Sequence, residues 1–286
     1  MRDNQLQAQF EQEGYCVVSF YDQNQIDALT GLYNSLRELP DSGFFPTTFL
    51  KDPEVRETIN QRIQAIAATS LQRHFIDIKV VNGSFIVKFP SGKSELRMHQ
   101  DMSLVDESKF CGVNVWCPLV SLTPNNGALY VLPRSHRLVP TYRGASIPNC
   151  YDRYAKNILP YLKPLYLEAG QAVVFDQSIL HYSPNNRSTQ LRVATNIFIT
   201  QKAASFRMYY FDRAHPDSVE VFEQKEDFMT QFQQFGYDIY ARPTMGTSLG
   251  FTPYNFPELT PEHLQASYGP APTTPIWKKL QQLWNR

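Results

Sequence analysis

The spacing of apolar residues changes once along the chain. Before residue 75 they recur every three or four positions, and after it they alternate with polar ones. The stretch "LQAQFEQEGYCVVSF" begins as a polar helix and turns at Gly14 into a short apolar strand. In "DQNQIDALTGLYNSLREL", Ile26, Leu29, Leu32, Tyr33 and Leu36 fall on one helical stripe, with Asp22 placed to cap it. "DPEVRETINQRIQAIAATSLQRHF" predicts a further helix. Asp52 serves as its cap, Pro53 fits its first position, and Val55, Ile59, Ile63 and Ile66 share a face.

"FIDIKVVNGSFIVKFP" alternates around an Asn-Gly pair, which predicts two strands or a bent strand pair. "CGVNVWCPLV", "GALYVL", "PLYLEAGQAVVFD" and "LRVATNIFIT" read as further strands, with turn residues between them. Gly127, after Asn125-Asn126, reads as a positive-φ turn residue. Many short strands closed by Pro, Gly and Asn argue for a mainly β fold, a sandwich or barrel, with flanking helices. Residues 134–165 lack periodicity and read as a long excursion between strands. The expectation is one domain over 1–286: N-terminal helices 1–75, a β core at about 76–200, and a C-terminal wrap over 201–286.

Composition narrows the classes. Hydrophobic residues are 42% and charged residues 19%, which is globular rather than disordered. The net charge is zero without a basic stripe, so a nucleic-acid partner is not expected. No apolar run of transmembrane length occurs, and the polar N-terminus lacks a signal-peptide core, so neither a membrane nor a protein partner is expected. Cys16, Cys111, Cys117 and Cys150 form no CxxC pair and read as thiols of a reducing, cytoplasmic compartment.

The chemistry gathers around "SELRMHQDMSLVDE". On a strand, residues i and i+2 point the same way, so His99 and Asp101 would present a nitrogen and an oxygen to one point. His181 in "VVFDQSILHYSPNNRS" is the best third ligand, expected at the rim of the same sheet. Two histidines and a carboxylate on one face suit a non-haem Fe(II) centre, which needs open positions for a co-substrate and O2. Arg192 opens the strand "LRVATNIFIT" and shares a face with Ala194, Asn196 and Phe198, a polar set for a core. If that strand runs beside the one leading to His181, its guanidinium can pair with the far carboxylate of 2-oxoglutarate. His136 reads as structural. Arg143, Tyr151 and Arg153 read either as anion contacts or as a solvated loop.

The frame His99-x-Asp101 … His181 … Arg192, with "NGALYVLPRSHR" and "GQAVVFDQSILHYSPNNRSTQLRVATNIF", resembles the phytanoyl-CoA dioxygenase family of Fe(II)/2-oxoglutarate oxygenases over roughly residues 8–200. The resemblance implies a double-stranded β-helix, a cupin-like jelly roll. It implies His99, Asp101 and His181 as iron ligands and Arg192 as the co-substrate's salt-bridge partner. Ser183 matches a family hydroxyl that helps hold the same carboxylate, and Gln100 a residue near the co-substrate. Trp116 and Asn114, which share a face, are candidates to line the substrate pocket. Arg134 stands where family members commonly carry Gly, which either alters the turn or puts a cation near the mouth.

The implied activity is oxidation of a small-molecule metabolite at a C–H bond, with 2-oxoglutarate converted to succinate and CO2. Related halogenases lack the carboxylate ligand, so Asp101 argues against halogenation. The alternatives are a cupin-type metalloenzyme that does not use 2-oxoglutarate, and a non-catalytic jelly-roll binding protein for a metabolite. The substrate could be a free metabolite, an amino-acid derivative, a lipid or a carrier-bound acyl group.

Overall fold

A computed structural model describes residues 1–271 apart from 38, 91 and 232–237. Residues 272–286 of the expected C-terminal wrap lie outside the described residues. The helices begin where their caps predict. Asp22 accepts from Gln25 N and closes a capping box on α2 (Gln23–Ser35). Asp52 accepts from Glu54 N and Val55 N at the start of α3 (Pro53–His74).

Six antiparallel strands form one sheet in the order β1 (Tyr15–Ser19), β8 (Gln171–Asp176), β5 (Val113–Pro118), β10 (Arg192–Gln201), β3 (Ile78–Lys88) and β2 (Phe44–Pro46). Four more form a second sheet: β4 (Leu96–His99), β9 (His181–Ser183), β6 (Leu129–Val131) and β7 (Lys163–Leu165). One face of the larger sheet lays Trp116, Val173, Phe175 and Ala194 against Leu129, Val131 and Tyr182 of the smaller one. Its other face buries Val115, Val174, Phe85 and Ile197 under Leu29 of α2 and Ile59, Ile63 and Ala67 of α3. Two antiparallel sheets packed face to face, with helices on one outer side, are the jelly roll read from the sequence.

The Asn-Gly stretch departs from the expectation. β3 is one strand of 11 residues, and Asn82-Gly83 lies inside it. Gly83 serves close packing instead of a turn, because a Cβ there would stand 2.9 Å from Ile63 Cγ2 on α3. Its ladder with β10 carries a register shift opposite Phe198/Ile199.

The C-terminal part builds a third sheet from β11 (Phe206–Tyr210), β12 (Ser218–Gln224) and β13 (Thr247–Pro253). A helix, α6 (Pro261–Tyr268), then returns Leu264 to the core between the two main sheets. The excursion 134–165 runs through short helical turns to Tyr161 and ends in β7 of the smaller sheet; it is anchored to this part, with Leu259 N donating to Cys150 O at 2.7 Å. Among the described residues no helix is long and apolar enough to cross a membrane.

Candidate metal centre

The smaller sheet places the two histidines. β4 pairs β9 so that His99 and His181 are direct cross-strand partners. A register shift between Leu96 and His99 sets this alignment, a device that commonly re-aims side chains beside sites. The two rings lie with centroids 4.0 Å apart. Each Nδ1–H donates to the carbonyl two residues earlier: His99 to Arg97 O at 2.8 Å, His181 to Ile179 O at 3.1 Å. That fixes the tautomer, and both Nε2 atoms are left as bare donors for a metal.

Asp101 completes the group by another route than expected. β4 stops at His99, so Asp101 is on irregular chain rather than on the strand. His181 is on the sheet that carries His99, although the strand leading to it, β8, belongs to the other one. The Asp101 carboxylate nevertheless puts Oδ1 3.5 Å from His99 Nε2 and 3.9 Å from His181 Nε2. Among the described residues this is the one group of three potential ligands that converges, all atoms within 4.8 Å of one another. The other carboxylate oxygen, Oδ2, accepts from Asn114 Nδ2 at 2.6 Å, and Asn114 Oδ1 accepts from Asn196 Nδ2 at 3.1 Å. The carboxylate fixes the direction of this relay and holds Oδ1 toward the histidines.

The electrostatics suit a cation. Burial and the neighbouring His99 push His181 down to about 4. Burial works to raise Asp101, but His181 and His99 outweigh it and hold the carboxyl below its ordinary range. Near neutral pH the site thus offers a neutral imidazole and a carboxylate, the forms that ligate. His181 is 5% exposed while His99 and Asp101 are 27% and 28% exposed, so the open side of the centre lies toward the latter two.

Arg192 faces the same interior from the larger sheet. It is 1% exposed, and its Nε and one Nη have no hydrogen-bond partner. Its guanidinium lies 5.2 Å over the Trp116 ring. Burial alone pushes it down to about 9. β5 separates β10 from β8, so Arg192 does not stand beside the strand leading to His181 as expected. Its cross-strand partner is Lys88 of β3, a residue that the sequence reading did not single out. Lys88 is fully buried, and its Nζ donates to Ser183 O at 2.7 Å and Pro184 O at 2.6 Å. Burial and then Arg192 lower its pKa strongly. Only the register of two strands distant in sequence brings Lys88 and Arg192 together, so no local motif could have revealed the pair.

The other candidates separate. Trp116 and Asn114 do share an inward face, opposite Asn196 and Phe198. Ser183 is buried beside Lys88, with its hydroxyl donating to Gly127 O at 2.9 Å; reaching a carboxylate would require that hydroxyl to rotate. Gly127 has φ 78° and could not carry a Cβ, which would meet Lys88 Cδ at 2.8 Å. Gln100 points to the excursion, donating to Ser178 O and accepting from Thr141 at 3.5 Å. Arg134 adopts the glycine-like φ of 67°, and its guanidinium stacks 4.9 Å over Tyr268 and donates to Ser267 O. The turn is therefore kept, and the cation clasps α6 instead of contacting any of the three ligands. His136 is structural, bonded to Glu11 O at 3.1 Å. Of the excursion residues, Arg143 and Tyr151 are buried and Arg153 is exposed.

The family model described as "Phytanoyl-CoA dioxygenase (PhyH)" matches residues 10–194. The chain belongs to the phytanoyl-CoA dioxygenase family. That match contains every residue of the centre and stops before the third sheet. Two curated relatives, the uncharacterized proteins Mb1539 of Mycobacterium bovis and Rv1501 of Mycobacterium tuberculosis, are each 28% identical over 188 residues. The match covers 64% of this chain and 60% of theirs, so the chain spans less than two thirds of these relatives' length. Among solved structures, the non-heme alpha-ketoglutarate-dependent carbocyclase SnoK from nogalamycin biosynthesis aligns with TM-score 0.51 at 16% identity, over 71% of this chain and 86% of that one. EvdO2 from Micromonospora carbonacea var. aurantiaca, complexed with 2-oxoglutarate, aligns with TM-score 0.51 at 20% identity, over 71% and 92%. These likenesses show a shared fold.

Proposed function

We propose that this protein is an Fe(II)- and 2-oxoglutarate-dependent oxygenase that oxidises a small-molecule metabolite at a C–H bond, most simply by hydroxylation, releasing succinate and CO2. One observation carries the reading. A converging His-Asp-His group and a buried guanidinium with unfilled donors face the same interior. A buried charge normally has a partner, so the donors of Arg192 mark a place for an anion. A cupin-type metalloenzyme without 2-oxoglutarate would have no use for it.

The residues fit the groups. His99, Asp101 and His181 would hold the iron, a hard-to-borderline cation that these nitrogen and oxygen donors suit. Bound iron, 2-oxoglutarate and O2 supply the oxidising chemistry. Arg192 binds the distal carboxylate, with Lys88 its cross-strand neighbour and Trp116 forming the wall behind the guanidinium. The Asn114–Asn196 relay keeps Asp101 directed at the metal. Phe175, whose ring is 5.1 Å from that of His181, helps keep water from the buried side. The open side, by His99 and Asp101, admits the substrate. EvdO2 is solved with 2-oxoglutarate, and SnoN with Fe3+, alpha-ketoglutarate and nogalamycin RO, which supports a small-molecule substrate in this fold.

The test is an anaerobic titration with Fe(II) and then 2-oxoglutarate, followed by visible absorption, on wild type and Arg192→Ala. A weak charge-transfer band that needs both additions, and a large loss of keto-acid affinity in the variant, are expected. Metal binding without that band would sink the 2-oxoglutarate assignment. A protein that binds neither would return the reading to a metabolite-binding jelly roll.

A further inference from the structure

The carboxylate ligand sits where the sheet gives it no support. β4 ends at His99, so no ladder fixes the backbone of Asp101. Its N–H donates to Gln177 O at 2.9 Å. Its carbonyl accepts from Arg143 Nε at 2.7 Å. Arg143 comes from the excursion 134–165 and is 8% exposed.

The same guanidinium continues to Glu107. One Nη donates to Glu107 Oε2 at 2.9 Å and to Thr141 O at 3.0 Å, and the other Nη pairs with Glu107 Oε1. Ser103 fills the space between. Its N–H donates to Arg143 O at 3.0 Å, and its hydroxyl accepts from Arg143 N and donates to Glu107 Oε2 at 3.2 Å. Arg143 thus ties the first residue of the segment 101–107 to its last. A buried ion pair adds little net stability by itself. Here one of its hydrogen bonds falls on the peptide group of the ligand, which gives the pair a use beyond packing.

We propose that Arg143, held by Glu107, is a positioning residue that fixes Asp101 as the carboxylate ligand and so makes the metal centre depend on the docked excursion. This rests on the metal reading above. Arg143 acts through the Asp101 carbonyl and not on substrate.

The experiment measures Co(II) binding to the full, metal-free chain by its visible absorption, with circular dichroism and thermal midpoints taken in parallel. Arg143→Gln is expected to weaken Co(II) binding about 10–100-fold, the range for losing an outer contact of a ligand. Glu107→Gln shifts it the same way by less, and Arg143→Lys restores part of the loss. Arg153→Gln, an exposed neighbour on the same excursion that pairs with Glu258 at 3.7 Å, leaves it unchanged. At saturating metal, 2-oxoglutarate affinity stays within about threefold, which separates lost positioning from general damage. A folded Arg143→Gln that binds Co(II) like the wild type overturns the proposal. If that variant does not fold, wild-type affinity in Glu107→Gln overturns it instead. Wild-type protein that fails to bind Co(II) defeats the metal reading itself, and it is measured first.

Discussion

His181 illustrates how burial sets chemistry at a single residue. Its ring is pushed down to about 4, below the ordinary histidine value. The unfolded chain therefore takes up the proton first as the pH falls. The stability linked to neutral His181 is complete above about pH 6.5 and is lost between there and about pH 4. Urea midpoints of the metal-free protein measured across that window should fall steeply, and His181→Gln should flatten the slope. A wild-type curve as flat as the variant's would show that His181 is not held neutral. At this scale the sequence marked the converging group but showed little of what holds it in place. His99, Asp101 and His181 stand out because few residue types bind metal, and Arg192 because it opens a strand whose face, with Ala194 and Asn196, is unusually polar for a core. Lys88 and Glu107 look like ordinary surface charges, and Arg143 like an anion contact or a solvated loop residue, until distant strands and the excursion are placed.

Elements were legible where the signal is local. Asp22 and Asp52 cap the helices they were expected to cap, since each cap lies within four consecutive residues, 22–25 and 52–55. The Asn-Gly reading failed because α3 packs across β3 and requires the glycine there. Gly83→Ala should cost about 1–3 kcal/mol, since Ile63 and the α3 backbone must move. Chemical denaturation checks this, and an unchanged midpoint would show that α3 yields freely. The bulge in β4 was also hidden, because a one-residue shift leaves no mark in a four-residue strand. Arg134 offers a second check on an element. Arg134→Gly removes about 1 kcal/mol of left-handed strain but also the stack on Tyr268, worth a similar amount. The global midpoint should barely move, while amide exchange in α6 should quicken; unchanged exchange would mean that the clasp does not hold α6.

For the whole molecule, assembling the sandwich and assembling the site are one event. The smaller sheet brings both histidines, and the larger brings Arg192, Lys88, Trp116 and Asn114. Ligands that bind only the assembled site should therefore stabilise the complete fold. Metal and 2-oxoglutarate at about 100 times their dissociation constants should each add about 2.7 kcal/mol, seen as stepwise rises in thermal midpoint. Arg192→Met should retain the metal step and lose the second. A full second step in the variant would place the keto acid elsewhere. The fold class was readable because alternation and turn residues recur through the middle of the chain. The third sheet was not, since β11, β12 and β13 fall where the sequence carries no motif that matches the rest.

The unfilled donors of Arg192 on β10, beside Lys88 of β3, have a practical consequence. If Arg192 holds the acid as proposed, the same buried guanidinium should attract other small anions when 2-oxoglutarate is absent. Chloride, acetate or succinate should compete for that pocket, so an apparent affinity for 2-oxoglutarate will vary with the anion of the buffer as well as with ionic strength. Screens run in chloride should under-report co-substrate binding relative to buffers of bulky anions. A protein whose apparent affinity is the same in both would not be using the Lys88–Arg192 pair to hold the acid.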